Sequence, residues 1–510
     1  MMKLSLPFIA LSLSLRPSLI SATPEGIQAG PHRPLVDSDK LQASISAPNL
    51  LAHARQLDAF ADLTSTGIGR NRAFGSLGHN ATVNYIKQLL DETGYYDTYL
   101  ETFPWQYSES RVQFFVGEEQ YVTAPFTYGP AGDVEAPIVP VNALGCTAAD
   151  FPDEVAGSIA LIQRGECEYG LKVALAGAAG ASGVILYNNI DAGFGSGGSL
   201  AQPSRPATGP YVPVGGISGV QGKALIAAIE AGEEVVGNIQ ATGFTEVRYS
   251  SNVIATSKIG DKDNIVFAGA HSDSVPAGPG INDDGSGTIA VLEIALHLTK
   301  YRVNNAVRFG FWTTEEFGLV GSEHHVSNLS DEERQKIALY LNFDMLASPN
   351  AAYFVHDGDG STFGLVGPPG SDKIEKLYQG WYEARGLKTA AAAFSGSSDY
   401  DPFLQVGIPV GGVLTGASGL KTAEGVEQWG GEVGVAYDKC YHLLCDTVDN
   451  LNVPFWVNNA KAAAHSIATY ARSLDGIPRE QRASVASLPI TRMSWEERRH
   501  FACNHPVSYV

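Results

Sequence analysis

The 510-residue sequence has only five cysteines and four methionines, carries charge on just 17% of its residues, and beyond its first residues has no long uninterrupted apolar run. That last absence excludes a later membrane span, which needs about 20 consecutive apolar residues. Positive charge is also short: 34 Lys and Arg stand against 54 Asp and Glu, a formal net charge of −20. With no basic stripe, this balance argues against nucleic acid or an anionic membrane as partner, since a phosphate-binding surface needs clustered Lys and Arg. No low-complexity tract or internal repeat is visible, so the chain reads as globular, with one large core or two to three smaller ones.

The start, "MMKLSLPFIALSLSLRPSLISATP", has Lys3, a short apolar run from Leu4 to Leu15, and small residues at Ser21 and Ala22. This is the pattern of a secretory signal over residues 1–22, too short to span a bilayer. Residues 23–40, polar and Pro-rich, read as a linker or propeptide. The mature protein is expected to be soluble, monomeric and secreted to the extracellular space; a vacuolar lumen would leave the same marks. In such a compartment cysteines pair, so Cys146 with Cys167 and Cys440 with Cys445 are expected as local disulfides, with Cys503 left over. Asn80 and Asn328 sit in Asn-x-Ser/Thr sequons that would accept glycans there.

Three textures follow along the chain. In 41–122, Leu50, Ala54, Leu57 and Ala61 and then Val83, Ile86, Leu89 and Leu90 fall at helical spacing, and "YLETFPW" reads as a strand. From 123 to 243, short Val/Ile/Ala runs punctuated by Gly and Pro indicate an inserted β-rich module with a helix in "GLKVALAGAAGA". From 244 to 475, "NIVFAGAHSDS", "AVRFGFWTTEE", "IALYLNFDMLA" and "GIPVGGVLTG" are near-continuous apolar runs between helices, one opened by a Ser330-x-x-Glu333 capping box. Strands buried on both faces mean an α/β fold, a mostly parallel mixed sheet flanked by helices. Residues 476–510 form a tail with a short helix in "MSWEERRHF".

Ligand-type residues follow these apolar strands: His271, the pair Glu315 and Glu316, Asp344 and, more loosely, His442 in "CYHLLCD". Each has an ordinary explanation alone, and "NDDGSG" by itself is a helix N-cap with turn glycines. Together they change meaning, because sites in open parallel sheets form beyond the carboxyl ends of the strands. Several carboxylates gathered there would raise one another's pKa unless a cation neutralised them. Two histidines, several carboxylates and no thiolate suit zinc or a similar divalent ion. A surplus of carboxylates suggests two ions sharing a bridge.

"HSDSVPAGPGINDDGSG", "TEEFGLVGSEHH", "LNFDM" and "DKCYHLLCDTVDN", in this order, closely resemble the co-catalytic dizinc aminopeptidases of peptidase family M28, especially secreted fungal leucine aminopeptidases and the vacuolar aminopeptidase Y group. The resemblance covers about 41–473, and the inserted module looks like the protease-associated domain of such enzymes, including its two cysteines. It implies a zinc exopeptidase fold, two Zn2+ per chain, and peptides with a free N-terminus as substrates, trimmed of apolar residues such as Leu. It further implies His271 and Asp344 on one ion, Glu316 and His442 on the other, and Asp283 bridging both. Glu315 would be the general base and Tyr441 the oxyanion donor. Asp273 would orient the His271 imidazole, and Met345 would wall the side-chain pocket or simply pack the core. The sequence departs from several relatives where "GSSDYDPF" has Ser397 in place of an Arg, leaving Asp399 a supporting role at most. Two rivals stand beside this reading: a carboxypeptidase on the same scaffold, and a receptor or binding protein that has lost catalysis.

Overall fold

The computed structural model describes residues 33–64, 69–194 and 197–479. The signal segment, "MSWEERRHF" and Cys503 lie outside the described residues.

The two N-terminal helical patterns fold as expected. Ala47–Ala61 buries Leu50, Ala54, Leu57 and Ala61, one residue per turn on one face, while Leu77–Glu92 is capped by Ser76 and buries Val83, Ile86 and Leu90. A further short helix, Ser38–Ser44, was not foreseen. Val36 is fully buried, and backbone hydrogen bonds join Pro34 and Val36 to Arg302. The main helix-covered core therefore takes up the chain from about Arg33, inside the span 23–40 read as linker.

Among the described residues, the sheet is mixed and 13-stranded. Its parallel centre runs Val410–Leu414, Ile337–Phe343, Asp261–His271, Asn305–Trp312. These are the four near-continuous apolar runs, buried because helices cover both faces. Helix Gly285–Leu298 is buried from Gly285 to Ala295, and helix Val453–Arg472 packs beside it in the same hydrophobic cluster. At Gly287 the helix approaches the sheet so closely that a Cβ would stand 2.0 Å from the Phe343 carbonyl oxygen.

The module does not begin and end where the texture changes. Strands Tyr96–Val116 and Val236–Ser257 pair antiparallel from Tyr96↔Ser257 to Val116↔Gly237, a ribbon crossing the expected boundary at 243/244. Its Ser257 end pairs with Asn305–Trp312 in the parallel part of the sheet. Its Val236 end pairs with Gly132–Pro140, which continues through Ile159–Gln163 and Gly183–Tyr187 to Val214–Ile217 in the module. The two parts are thus segments of one sheet, joined by the ribbon. No helix among the described residues is long and apolar enough to cross a membrane.

Candidate active site

Because the central strands are parallel, their carboxyl ends coincide at one edge. His271 ends one strand, Glu315 and Glu316 follow the end of the next in a single turn of 3-10 helix, and Asp344 directly follows a third. Asp283 arrives from the loop before helix Gly285–Leu298, and His442 from the loop 438–446.

The donors converge. Asp283 has one carboxylate oxygen 3.2 Å from His271 Nε2 and the other 3.0 Å from His442 Nε2. His442 Nε2 also lies 3.0 Å from Glu316 Oε2, and His271 Nε2 lies 3.7 Å from Asp344 Oδ1. Each imidazole thus has its own carboxylate, with Asp283 between them. Glu315 Oε2 is 3.9 Å from His271 Nε2, so distance groups it with His271 and Asp344 as a possible donor. The carbonyl oxygen of Asp273 lies nearer to His271 Nδ1, at 3.3 Å, than its carboxylate, at 3.8 Å, while that carboxylate accepts the Glu315 N–H at 3.2 Å. Tyr441 stacks on the His442 ring with centroids 3.8 Å apart. Met345 is buried with its backbone in the left-handed region, φ 55°.

Electrostatics point to missing positive charge. Burial pushes Asp273 up to about 8 and Asp399 up to about 7. Burial also raises Glu315 well above the usual range, aided by Asp399, Glu316 and Asp344. Burial alone would lower His442, yet Glu316 and Asp283 hold it at about 10. Asp283, despite its burial, is held below the carboxylate range by His271 and His442. Glu316 Oε1, Asp273 Oδ2 and both oxygens of Asp399 are buried without a hydrogen-bond partner. Orphaned carboxylate oxygens are costly, and divalent ions beside two imidazoles fit this donor set.

Beyond the N-cap in "NDDGSG" and Asp273, sequence reasoning missed the residues that support the site. Asp284 caps the helix through Gly287 N and accepts from Met345 N and His271 N, tying three elements together. Asp446 accepts the backbone N–H groups of Asn282 and Asp283, and Asp438 accepts from the Asn282 side chain, so the His442 loop grips the Asp283 loop. Ser398 donates to Asp344 at 2.6 Å. Arg72, wholly buried, donates to the carbonyls of Ser272, Pro279 and Gly280. Acidic residues flanking "NDD" and "CYHLLC" were a usable signal; nothing around Arg72 was. Both expected disulfides are present, Cys146–Cys167 and Cys440–Cys445. Asn80 and Asn328 are exposed.

Paired imidazoles and carboxylates around a shared aspartate, at the carboxyl edge of a helix-covered sheet, define a metallohydrolase. The description "Peptidase family M28" matches residues 252–467, and "PA domain" matches 134–225. The chain is 44% identical over 470 residues to the probable leucine aminopeptidase 2 of Aspergillus oryzae, covering 92% of this chain and 93% of that protein. It is 45% identical over 456 residues to the probable leucine aminopeptidase 2 of Aspergillus fumigatus, covering 89% of each. The solved aminopeptidase from Aneurinibacillus sp. strain AM-1 has a TM-score of 0.68 at 28% identity, covering 86% of this chain and 96% of that one. A zinc aminopeptidase from Bacillus subtilis, at 23% identity and a TM-score of 0.61, covers 86% and 98% and bears on the fold alone. The chain belongs to peptidase family M28 and carries a PA domain: it is an enzyme that hydrolyses peptide bonds.

Proposed function

We propose that the protein is an exported, monomeric zinc aminopeptidase that removes N-terminal residues, apolar ones such as Leu among them, from peptides. The observation that carries this is Asp283, whose two oxygens face the two imidazoles at 3.2 and 3.0 Å. In this reading His271 and Asp344 would hold one zinc ion, His442 and Glu316 would hold the other, and Asp283 would serve both. When bound, the ions supply Lewis acidity toward the scissile carbonyl and the nucleophilic water.

The side chains do the rest. Glu315, its carboxyl raised by burial, takes a proton from the attacking water and passes it to the leaving amine. The backbone N–H of Glu315, donated to Asp273, fixes the start of its turn. Tyr441, stacked on His442, donates its hydroxyl to the developing oxyanion. The carboxylates of Glu315 and Asp344 attract the substrate's protonated amino terminus, which selects exopeptidase action. Met345 contributes to the wall of the side-chain pocket. Two disulfides support an oxidising compartment outside the cytosol, where exposed Asn80 and Asn328 would be glycosylated.

Hydrolysis of leucine p-nitroanilide and of its N-acetylated form, with and without a chelator, tests this. Chelator-sensitive cleavage of the free amine only is expected. Cleavage of C-terminal residues from N-blocked peptides would instead establish a carboxypeptidase, and zinc-loaded protein inert toward both would leave a binding role.

A further inference from the structure

The loop bearing Glu315 and Glu316 runs from the strand end at Trp312 to the helix beginning at Val320. It places Thr314, Gly318 and Leu319 in the left-handed region, at φ 62°, 113° and 60°. For Thr and Leu this backbone is strained and persists only where the surroundings over-determine it. Two anchors do so.

At the neck, Asn252 is wholly buried. Its side-chain oxygen accepts the Thr313 N–H at 3.0 Å and its amide donates to the Gly321 carbonyl at 2.9 Å, closing both ends of the loop with one residue. The fit depends on glycine: a Cβ at Gly321 would stand 2.1 Å from the Thr313 carbonyl oxygen and 2.5 Å from Asn252 Oδ1. At the apex, Phe317 packs edge-on against Phe74, centroids 4.7 Å apart, and lies tilted against the Tyr107 ring at 5.5 Å. The Arg248 guanidinium lies 3.2 Å from the Tyr107 ring centre. Asn252, Arg248 and Tyr107 all belong to the ribbon. Phe317 shares one buried cluster with the module's core, including Phe126, Tyr128 and Val184.

We propose that Asn252 and Phe317 are positioning residues for Glu315 and Glu316: the ribbon grips the catalytic loop at neck and apex, and the inserted module is the brace behind that grip. The loop's task rests on the aminopeptidase reading; its mechanical support does not.

The test combines hydrogen–deuterium exchange with steady-state kinetics on the zinc-loaded full chain of Asn252→Ala, Phe317→Ala and the milder Phe317→Leu. Amides 314–319 should exchange at least about tenfold faster in the alanine variants while helix Gly285–Leu298 keeps wild-type protection. On leucine p-nitroanilide kcat should fall at least about tenfold with KM nearly unchanged and zinc content as in wild type, because small misplacements of a reacting group are costly. Phe317→Leu should recover much of both effects. Unchanged loop exchange, wild-type kcat, or equal loosening of the helix would each overturn the proposal. If wild type itself fails to cleave the substrate, the aminopeptidase reading fails, and the exchange data still decide the brace.

Discussion

Replacing Arg72 by Met keeps most of the side-chain volume and removes the guanidinium that ties down the metal-side loop. Nε donates to Pro279 O at 2.9 Å, and the two terminal nitrogens donate to Ser272 O and Gly280 O at 2.6 Å each. A hydrogen bond from a charged donor contributes about 1.5–3 kcal/mol, so three amount to roughly 4–9 kcal/mol. Burying a guanidinium costs several kcal/mol in return; burial lowers its pKa, and Asp273, Asp446 and Asp284 oppose that shift. Arg72→Met leaves the buried Ser272 and Pro279 carbonyls without this donor, leaves Gly280 only the Gly285 N–H, and leaves those carboxylates without a cation, for a net loss of about 2–4 kcal/mol. In calorimetry of the zinc-loaded protein this should appear as a Tm lower by about 2–4 °C, since the unfolding entropy of a chain this long is about 1 kcal/mol per kelvin. A variant melting within about 1 °C of wild type would refute the reasoning.

Three further outcomes follow from the same geometry. Glu315→Gln should lower kcat by about 10²–10⁴ while zinc content and KM stay near wild type; lost zinc would instead make Glu315 a ligand. Burial opposes the charge of Glu293, yet hydrogen bonds from His297 and His53 hold its carboxyl at about 2, against an ordinary 4.5. A depressed carboxyl stabilises the fold above the unfolded pKa and loses that contribution as pH falls through the folded one. The stability advantage over Glu293→Gln, up to about 3 kcal/mol, should therefore shrink between about pH 4.5 and pH 2; an advantage independent of pH in acid-unfolding curves would contradict this. Cys440–Cys445 closes a small loop around Tyr441 and His442, and Cys445 is exposed. Mild phosphine reduction should release zinc and abolish activity together; full activity with both thiols free would show that the clamp is dispensable.

The sequence made the one-sided helices and the doubly buried strands legible because each follows from a local period. Leu50, Ala54, Leu57 and Ala61 mark a face without knowledge of what it packs against. Of the five proposed metal-binding side chains, His271, Glu316 and Asp344 were visible as strand-end residues, His442 more loosely in a loop, and Asp283 through the family resemblance; the structure brings them together. The ribbon was less legible: Tyr96–Val116 mixes charged, aromatic and β-branched residues because parts of it face solvent, and its partner Val236–Ser257 crosses from one texture to the next. Asp284, Asp438 and Asp446 look like turn formers until their backbone partners are known. Asn252 and Arg72 act on carbonyls and amides 61 to 208 residues away, and such contacts leave no periodic trace.

The central claim is a shared two-ion centre around Asp283, and zinc-edge anomalous scattering from crystals of the zinc-loaded protein tests it most directly. Two peaks flanking Asp283 are expected, one beside His271 and Asp344 and the other beside His442 and Glu316. A single peak there, or zinc only at the separate carboxylate group of Asp357, Asp359 and Glu375, would contradict it.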